Sequence, residues 1–471
     1  MLARFRIPLF DVPIFSQLRN IALVVLVGLI IGAASSVHFI LGFALIIGVV
    51  AAYVSLVYPM ILGYVLIFCI ITTSGMLRGD IIPMLKINEA MLAVTAGVVF
   101  LVVMIRRPAY RIYDPWLVIA TLILMLGTAV VPLVAYYARG WKFEVSEIVS
   151  LLAPVQFVIL FWVFAYLPES DRDRRNLVQF MIVCASILSF VGLLQAAKIG
   201  AVQNFLVRWY PGDQTNDAAA LGRVTTLFGA WNATGTFLMI IILLLVSLQP
   251  LNHPRWARIN MYIALALGGA TLLASGSFAG MGGLAAGIVI VKYFDRRGMK
   301  FLLQLFVALM IASIILSPII IQRLNYQFAP SSSSDGLVPQ TFSYRLKVWS
   351  EVYIPILMKS NPWFGVVPNM NNVSWAWAES QYVYLLMRSG VVSLIAHLVW
   401  VWMMCVWLWR KMKTTIGQTQ ILALVSFAVM ILLSVMSFTN EVFTLGGVID
   451  YLWIFIGLIA NAGVNPVHDS N

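Results

Sequence analysis

Two apolar runs, Phe301–Ile321 (FLLQLFVALMIASIILSPIII) and Val391–Trp409 (VVSLIAHLVWVWMMCVWLW), decide the fold, because neither holds an acidic or basic side chain other than His397. Each matches the roughly 20 residues that a helix needs to cross a bilayer. Between them Thr341–Ser393, TFSYRLKVWSEVYIPILMKSNPWFGVVPNMNNVSWAWAESQYVYLLMRSGVVS, gathers Arg345, Lys347, Glu351, Lys359, Glu379 and Arg388. Charged residues make up only 10% of the chain, so that gathering marks the stretch as the place to look for chemistry.

Runs of the same kind recur outward from this pair. The 471 residues are 62% hydrophobic with a mean hydropathy of +0.95, values that a soluble domain does not reach. The expected fold is an all-α polytopic membrane protein, one integral membrane domain over 1–471. About 14 transmembrane helices are expected between about residues 20 and 462, with breaks as short as Ser275-Gly276-Ser277. With the N-terminus inside, the basic loops around Arg106, Arg172, Arg255, Arg296 and Arg410 all fall on the cytoplasmic side. The net charge of +12 is then a topology signal, and no nucleic acid partner is expected. The N-terminal MLARFRIPLFDVPIFSQLRN reads as a cytoplasmic lead-in, because it lacks a small-residue cleavage site. The longer polar segments fall outside: an extracytoplasmic loop over 200–231 and a large extracytoplasmic loop over 322–389, in which Ala329–Gln340 reads as a flexible tether. Cys69, Cys184 and Cys405 lie in separate apolar runs without ligand spacing, so neither a disulfide nor a metal is expected.

Within the first loop Arg208 and Arg223 precede the glycine-containing Leu227-Phe228-Gly229-Ala230-Trp231-Asn232-Ala233-Thr234-Gly235. An arginine just above the bilayer forks onto phosphate oxygens, whether of a substrate or of lipid headgroups. In the second loop Tyr344, Val348, Val352 and Ile356, with Leu346, Trp349 and Tyr353, are spaced as an amphipathic helix lying on the membrane. That helix is expected to start near Phe342, with Ser343 as its cap, so that Arg345 and Lys347 sit near an anion-binding N-terminus. Asn361-Pro362-Trp363-Phe364-Gly365 should end it; Trp363, Trp375 and Trp377 are either sugar-stacking platforms or interfacial anchors. Glu379 lies where the chain dives back into apolar sequence, beside Tyr382 and ahead of Arg388. A carboxylate at that depth either does work or pairs with Arg345 or Arg388. Glu441 and Asp450, near the last run, are secondary candidates.

Three pieces in this order resemble motifs of the O-antigen polymerase/ligase superfamily of membrane glycosyltransferases. They are Arg223…Gly229…Asn232…Gly235; Arg345-x-x-x-Trp349 followed by Pro362-x-x-Gly365; and Glu379-Ser380-Gln381-Tyr382 followed by Gly390. The Leu273–Gly280 turn is similar to a Ser-Arg-Gly segment of that family, with Phe278 in place of its arginine. Ligases carry histidine where this chain has Glu379, and Ser393 stands where the family has a second glycine. The acidic residue is closer to repeat-unit polymerases.

The resemblance implies a polymerase of lipid-linked polysaccharide repeat units in the bacterial inner membrane, with its active site facing the periplasm. Its donor and acceptor would be undecaprenyl-diphosphate-linked oligosaccharides, a chain-length regulator is a conceivable partner, and no cofactor is implied. On that reading Glu379, Arg345 and Arg223 are catalytic, and Arg208, Lys347, Trp349, Tyr382 and Arg388 bind substrate. An inverting transfer follows from attack opposite the leaving diphosphate. The alternatives are an O-antigen ligase acting on lipid A core and a lipid-linked oligosaccharide flippase; the latter would want its charges near mid-membrane rather than in loops.

Overall fold

The computed structural model describes residues 53–79, 85–106, 114–210, 223–251, 253–295, 340–367 and 378–461, with scattered positions between 303 and 325. The part of the expected apolar series between residues 20 and 52 lies outside the described residues, as do the tether up to 339, Trp375 and Trp377. The chain divides into two compact units, Met1–Ile61 and Leu62–Asn471, and the site lies in the second.

Among the described residues the chain is helical, without a strand. The helices are α1 Met60–Thr73, α2 Ile87–Arg106, α3 Pro115–Ala138, α4 Val145–Leu151, α5 Ala153–Tyr166, α6 Asp171–Ala196, α7 Gly200–Trp209, α8 Trp231–Leu248, α9 Arg255–Ser275 and α10 Phe278–Phe294. They continue with α11 Gln340–Val348, α12 Ile354–Lys359, α13 Gln381–Thr414, α14 Gly417–Met436 and α15 Val448–Ala460. Seven of these (α2, α3, α6, α8, α9, α13 and α14) are long and apolar enough to cross a membrane, which is compatible with a multi-pass membrane protein. Four further apolar helices are shorter.

Helix α8 is the axis of the bundle. Every residue from Ala233 to Leu248 is buried, and α9, α10 and α14 pack around it. Helix α2 is equally apolar, yet only 22% of Ile87–Met104 is buried, against 89% of Trp231–Leu248. An apolar helix uncovered over most of its surface suits lipid rather than water. Helices α9 and α10 are separate, because Gly276 turns the chain at φ 59° and Ser277 caps α10 through the Gly280 N–H. The crossing of α8 with α10 is so close that a Cβ on Gly280 would lie 2.7 Å from the Gly235 carbonyl carbon.

Prolines shape the wall that faces α13. In α3 the wide turn Leu126–Val130 precedes Pro132, and the Val131 N–H bonds Leu126 O. Pro132 has no N–H for the Gly127 carbonyl, which accepts the Ser393 hydroxyl of α13 instead. Likewise Pro154 cannot donate to the Ser150 carbonyl, and α4 gives way to α5 at Leu152. The exposed segment repeats the device: the wide turn Trp349–Tyr353 joins α11 to α12 just before Pro355.

Candidate functional site

The site is assembled at the start of α13. Glu379 takes φ 49°, a left-handed backbone uncommon outside glycine, and Ser380 then caps the helix on the Val383 N–H. Such a conformation persists only where its surroundings over-determine it, and here the α14–α15 connection does so. The Glu379 N–H donates to Glu441 Oε1 at 3.1 Å, and the Ser380 hydroxyl donates to the Ser437 carbonyl. The Gln381 N–H reaches the Ser437 and Asn440 carbonyls, while its side-chain oxygen accepts from the Phe443 N–H. Tyr382 donates to the Ser434 carbonyl at 2.6 Å and sets its ring edge-on to Phe438.

The segment 340–359 docks from the other side. Val348, Tyr353, Ala378 and Met387 form one buried cluster, flanked by Trp349, Val352 and Ile356. The apolar face expected to rest on the membrane therefore packs largely against the first turns of α13, leaving Tyr344 and Leu346 exposed. Apolar area is removed from water either way, but a neighbouring helix also offers a partner for the indole: Trp349 Nε1 donates to the Ala378 carbonyl at 2.7 Å. Helix α11 is already under way at Gln340, so Ser343 lies inside it and is not its cap, and Arg345 and Lys347 fall in its last turn rather than its first. From there Arg345 Nε meets Glu379 Oε2 at 2.5 Å, a pair with side chains 16% and 38% exposed. Lys347 is exposed on the same helix.

Asn361–Gly365 ends α12 as expected: Asn361 Oδ1 accepts the Trp363 and Phe364 N–H groups. Its backbone then lies against the break in α13 at Gly390 (φ 77°). The Val391 N–H bonds Pro362 O at 2.8 Å, and Val366 N–H bonds Met387 O at 2.7 Å. Gly365 is also at positive φ, and a Cβ there or at Gly390 would sit within 2.6 Å of the opposing backbone. The Pro-x-x-Gly piece and the glycine after Glu379, far apart in sequence, form one contact.

Arg223 goes elsewhere. It is 6% exposed, donates from Nε and Nη2 to the carbonyls of Ser275 and Gly276 at 3.0 and 3.1 Å, and stacks 3.8 Å above the Trp231 ring. It clamps the carboxyl end of α9, where a cation is favoured. One link runs on to the acidic cluster: Asn232 Nδ2 donates to Asn440 Oδ1, next to Glu441. Arg208 is exposed at the end of α7, beside the Trp209 ring. Arg388 is 4% exposed; it donates to the Tyr384 hydroxyl and to the Ser150 carbonyl that Pro154 leaves free.

Sequence reasoning ranked Glu441 second, and the geometry raises it. Its carboxylate sits under the Glu379 backbone and is pushed up to about 7, chiefly by burial, with the Glu379 charge adding to the shift and the N–H groups of Glu379 and Ala378 opposing it. The cluster is thus Arg345, Glu379 and Glu441: a cation and two carboxyl groups, one of them readily neutral. Among the described residues no three His, Cys, Asp or Glu side chains converge as metal ligands would. No family model matches the chain, and no characterised protein matches it in sequence.

Proposed function

We propose that the chain is a polymerase of lipid-linked polysaccharide repeat units. It would work within a bundle of about 14 spans in the bacterial inner membrane, with the 322–389 loop facing the periplasm. The observation that carries the reading is the Arg345–Glu379 ion pair over Glu441, held where that loop rejoins α13. A glycosyl transfer from a polyprenyl diphosphate needs a cation for the charge growing on the leaving oxygen and a base for the acceptor hydroxyl. The cluster offers both.

The acceptor oxygen attacks the anomeric carbon, the bond from that carbon to the diphosphate oxygen breaks, and the electron pair leaves with the diphosphate. The hydroxyl proton passes to Glu379. In the resting pair Arg345 holds that carboxylate through its Nε. A diphosphate that draws the guanidinium away frees Glu379 as it arrives, which couples donor binding to base activation. Glu441, pushed up to about 7, is about half protonated at neutral pH, which lessens the like charge beside Glu379.

The test is to incubate the purified protein in nanodiscs with a polyprenyl-diphosphate-linked repeat unit and run the product on a gel. A ladder spaced by one repeat is expected, absent in Glu379→Gln and kept in the exposed control Glu351→Gln. A single transfer that appears only when lipid A core is supplied would make the chain a ligase and end the polymerase reading.

A further inference from the structure

Arg345 and Trp349 stand four residues apart, and α11 runs without a break into the wide turn at Trp349, so the two side chains share a helix face. They close on consecutive residues. Arg345 takes the Glu379 carboxylate, and Trp349 Nε1 donates to the carbonyl of Ala378 at 2.7 Å. That carbonyl belongs to the same peptide group as the Glu379 N–H, which donates to Glu441 Oε1 at 3.1 Å. One peptide plane is thus held at both ends, by a side chain of the 340–359 segment and by a side chain of the α14–α15 connection.

This plane fixes φ at Glu379. A φ of 49° lies in the left-handed region, where a side chain crowds the backbone, so the conformation lasts only while its partners enforce it. Ala378 is 1% exposed, and water does not readily take the place of the indole on its carbonyl. Trp349 has little left to offer a sugar. Its ring flanks the buried cluster of Val348, Tyr353, Ala378 and Met387, and its one polar atom is spent on the backbone.

We propose that Trp349 and Glu441 are positioning residues, which together orient the Ala378–Glu379 peptide so that α11 docks with Arg345 against the Glu379 carboxylate. The four-residue spacing of Arg345 and Trp349 has a mechanical meaning on these terms: the indole grips the backbone so that the guanidinium, one helical turn earlier, meets the next side chain. Only the effect on rate rests on the polymerase reading; the docking is testable without a substrate.

The first readout is the rate at which phenylglyoxal modifies Arg345 in the full chain in nanodiscs, followed by peptide mass spectrometry, with buried Arg223 as the internal reporter of unfolding. In Trp349→Phe, which keeps an aromatic ring and loses the N–H, modification of Arg345 should rise about tenfold while Arg223 stays protected. Glu441→Leu should act likewise. Glu441→Gln keeps a carbonyl oxygen for the Glu379 N–H and should stay within about twofold of wild type. An unchanged rate at Arg345 in a folded Trp349→Phe overturns the assignment. If one variant uncovers Arg223 its fold is lost and the other decides; if both do, the two contacts hold the fold rather than the pair, and the assignment fails. The second readout is transfer of a polyprenyl-diphosphate-linked repeat unit, in which Trp349→Phe should lower kcat about tenfold and leave KM unchanged. A kcat left intact overturns the positioning role and, if KM rises, makes Trp349 a substrate contact. If the wild type transfers nothing, the polymerase reading fails by itself and the Arg345 rates still decide the docking.

Discussion

Arg223 and Arg345 come from the same sequence argument, an arginine in a polar segment ahead of an apolar run, yet the structure treats them in opposite ways. Arg223 is buried, with its donors on two backbone carbonyls and its plane on an indole. Arg345 is partly exposed and held by one carboxylate. Backbone carbonyls cannot move off a guanidinium without unwinding a helix end, whereas a side-chain carboxylate can rotate away. A cation available to a substrate is therefore one whose present partner is replaceable, and by that criterion the proposed chemistry falls to Arg345 and the frame to Arg223.

The comparison breaks most visibly in the rate of transfer. Arg345→Ala should lower repeat-unit transfer by about 10²–10³ while unfolding in detergent shifts by less than about 1 kcal/mol, as for other partly exposed pairs. Arg223→Ala should do the reverse in its first effect. It strands the Ser275 and Gly276 carbonyls and empties the space over Trp231, so stability falls by about 3 kcal/mol. Any loss of transfer should then follow the loss of folded protein. If thermal unfolding of Arg223→Ala matches wild type while transfer is abolished, the division between frame and chemistry is wrong.

Acidity sharpens the same contrast from below the pair. Glu441 is pushed up to about 7 in the folded chain from an ordinary value of 4.5. The folded state therefore holds a proton that the unfolded chain has released between those two values. Stability should be greatest below about pH 4.5 as far as this group is concerned, and should decline through pH 7 by on the order of 3 kcal/mol. Unfolding followed across pH 4–8 should show that decline in wild type and a flat profile for this component in Glu441→Gln.

Much of the bundle was legible, because long apolar runs such as Trp231–Leu248 and Gly417–Met436 announce themselves by composition and length. Glu379 with Arg345 was legible too, since scarce charges near a re-entry point have few partners to choose from. Glu441 was not, because what makes it matter is a hydrogen bond to the Glu379 N–H across 62 residues of sequence. Nor was the fate of Arg223, fixed by a helix end 52 residues on. The amphipathic face of 344–356 was read as lying on the membrane and packs largely against α13 instead, because periodicity cannot tell a lipid surface from the flank of another helix. Ser393 read as a departure from a glycine pattern; its hydroxyl answers a carbonyl that Pro132 releases in a different helix.

Arg388 is the intermediate case and gives the finest test. Like Arg223 it is buried on a backbone carbonyl, but that carbonyl is available only because Pro154 brings no N–H to the turn. Pro154→Ala restores a donor four residues after Ser150, which then competes with the guanidinium for one oxygen. If α4 and α5 join into a continuous helix, the gain in helix hydrogen bonding is about 1 kcal/mol, and Arg388 loses part of its anchor. Unfolding should then shift upward slightly while repeat-unit transfer falls, since the freed guanidinium shifts within the first turns of α13. Unchanged transfer would mean that Tyr384 alone holds Arg388 in place, and that this arginine, like Arg223, belongs to the frame.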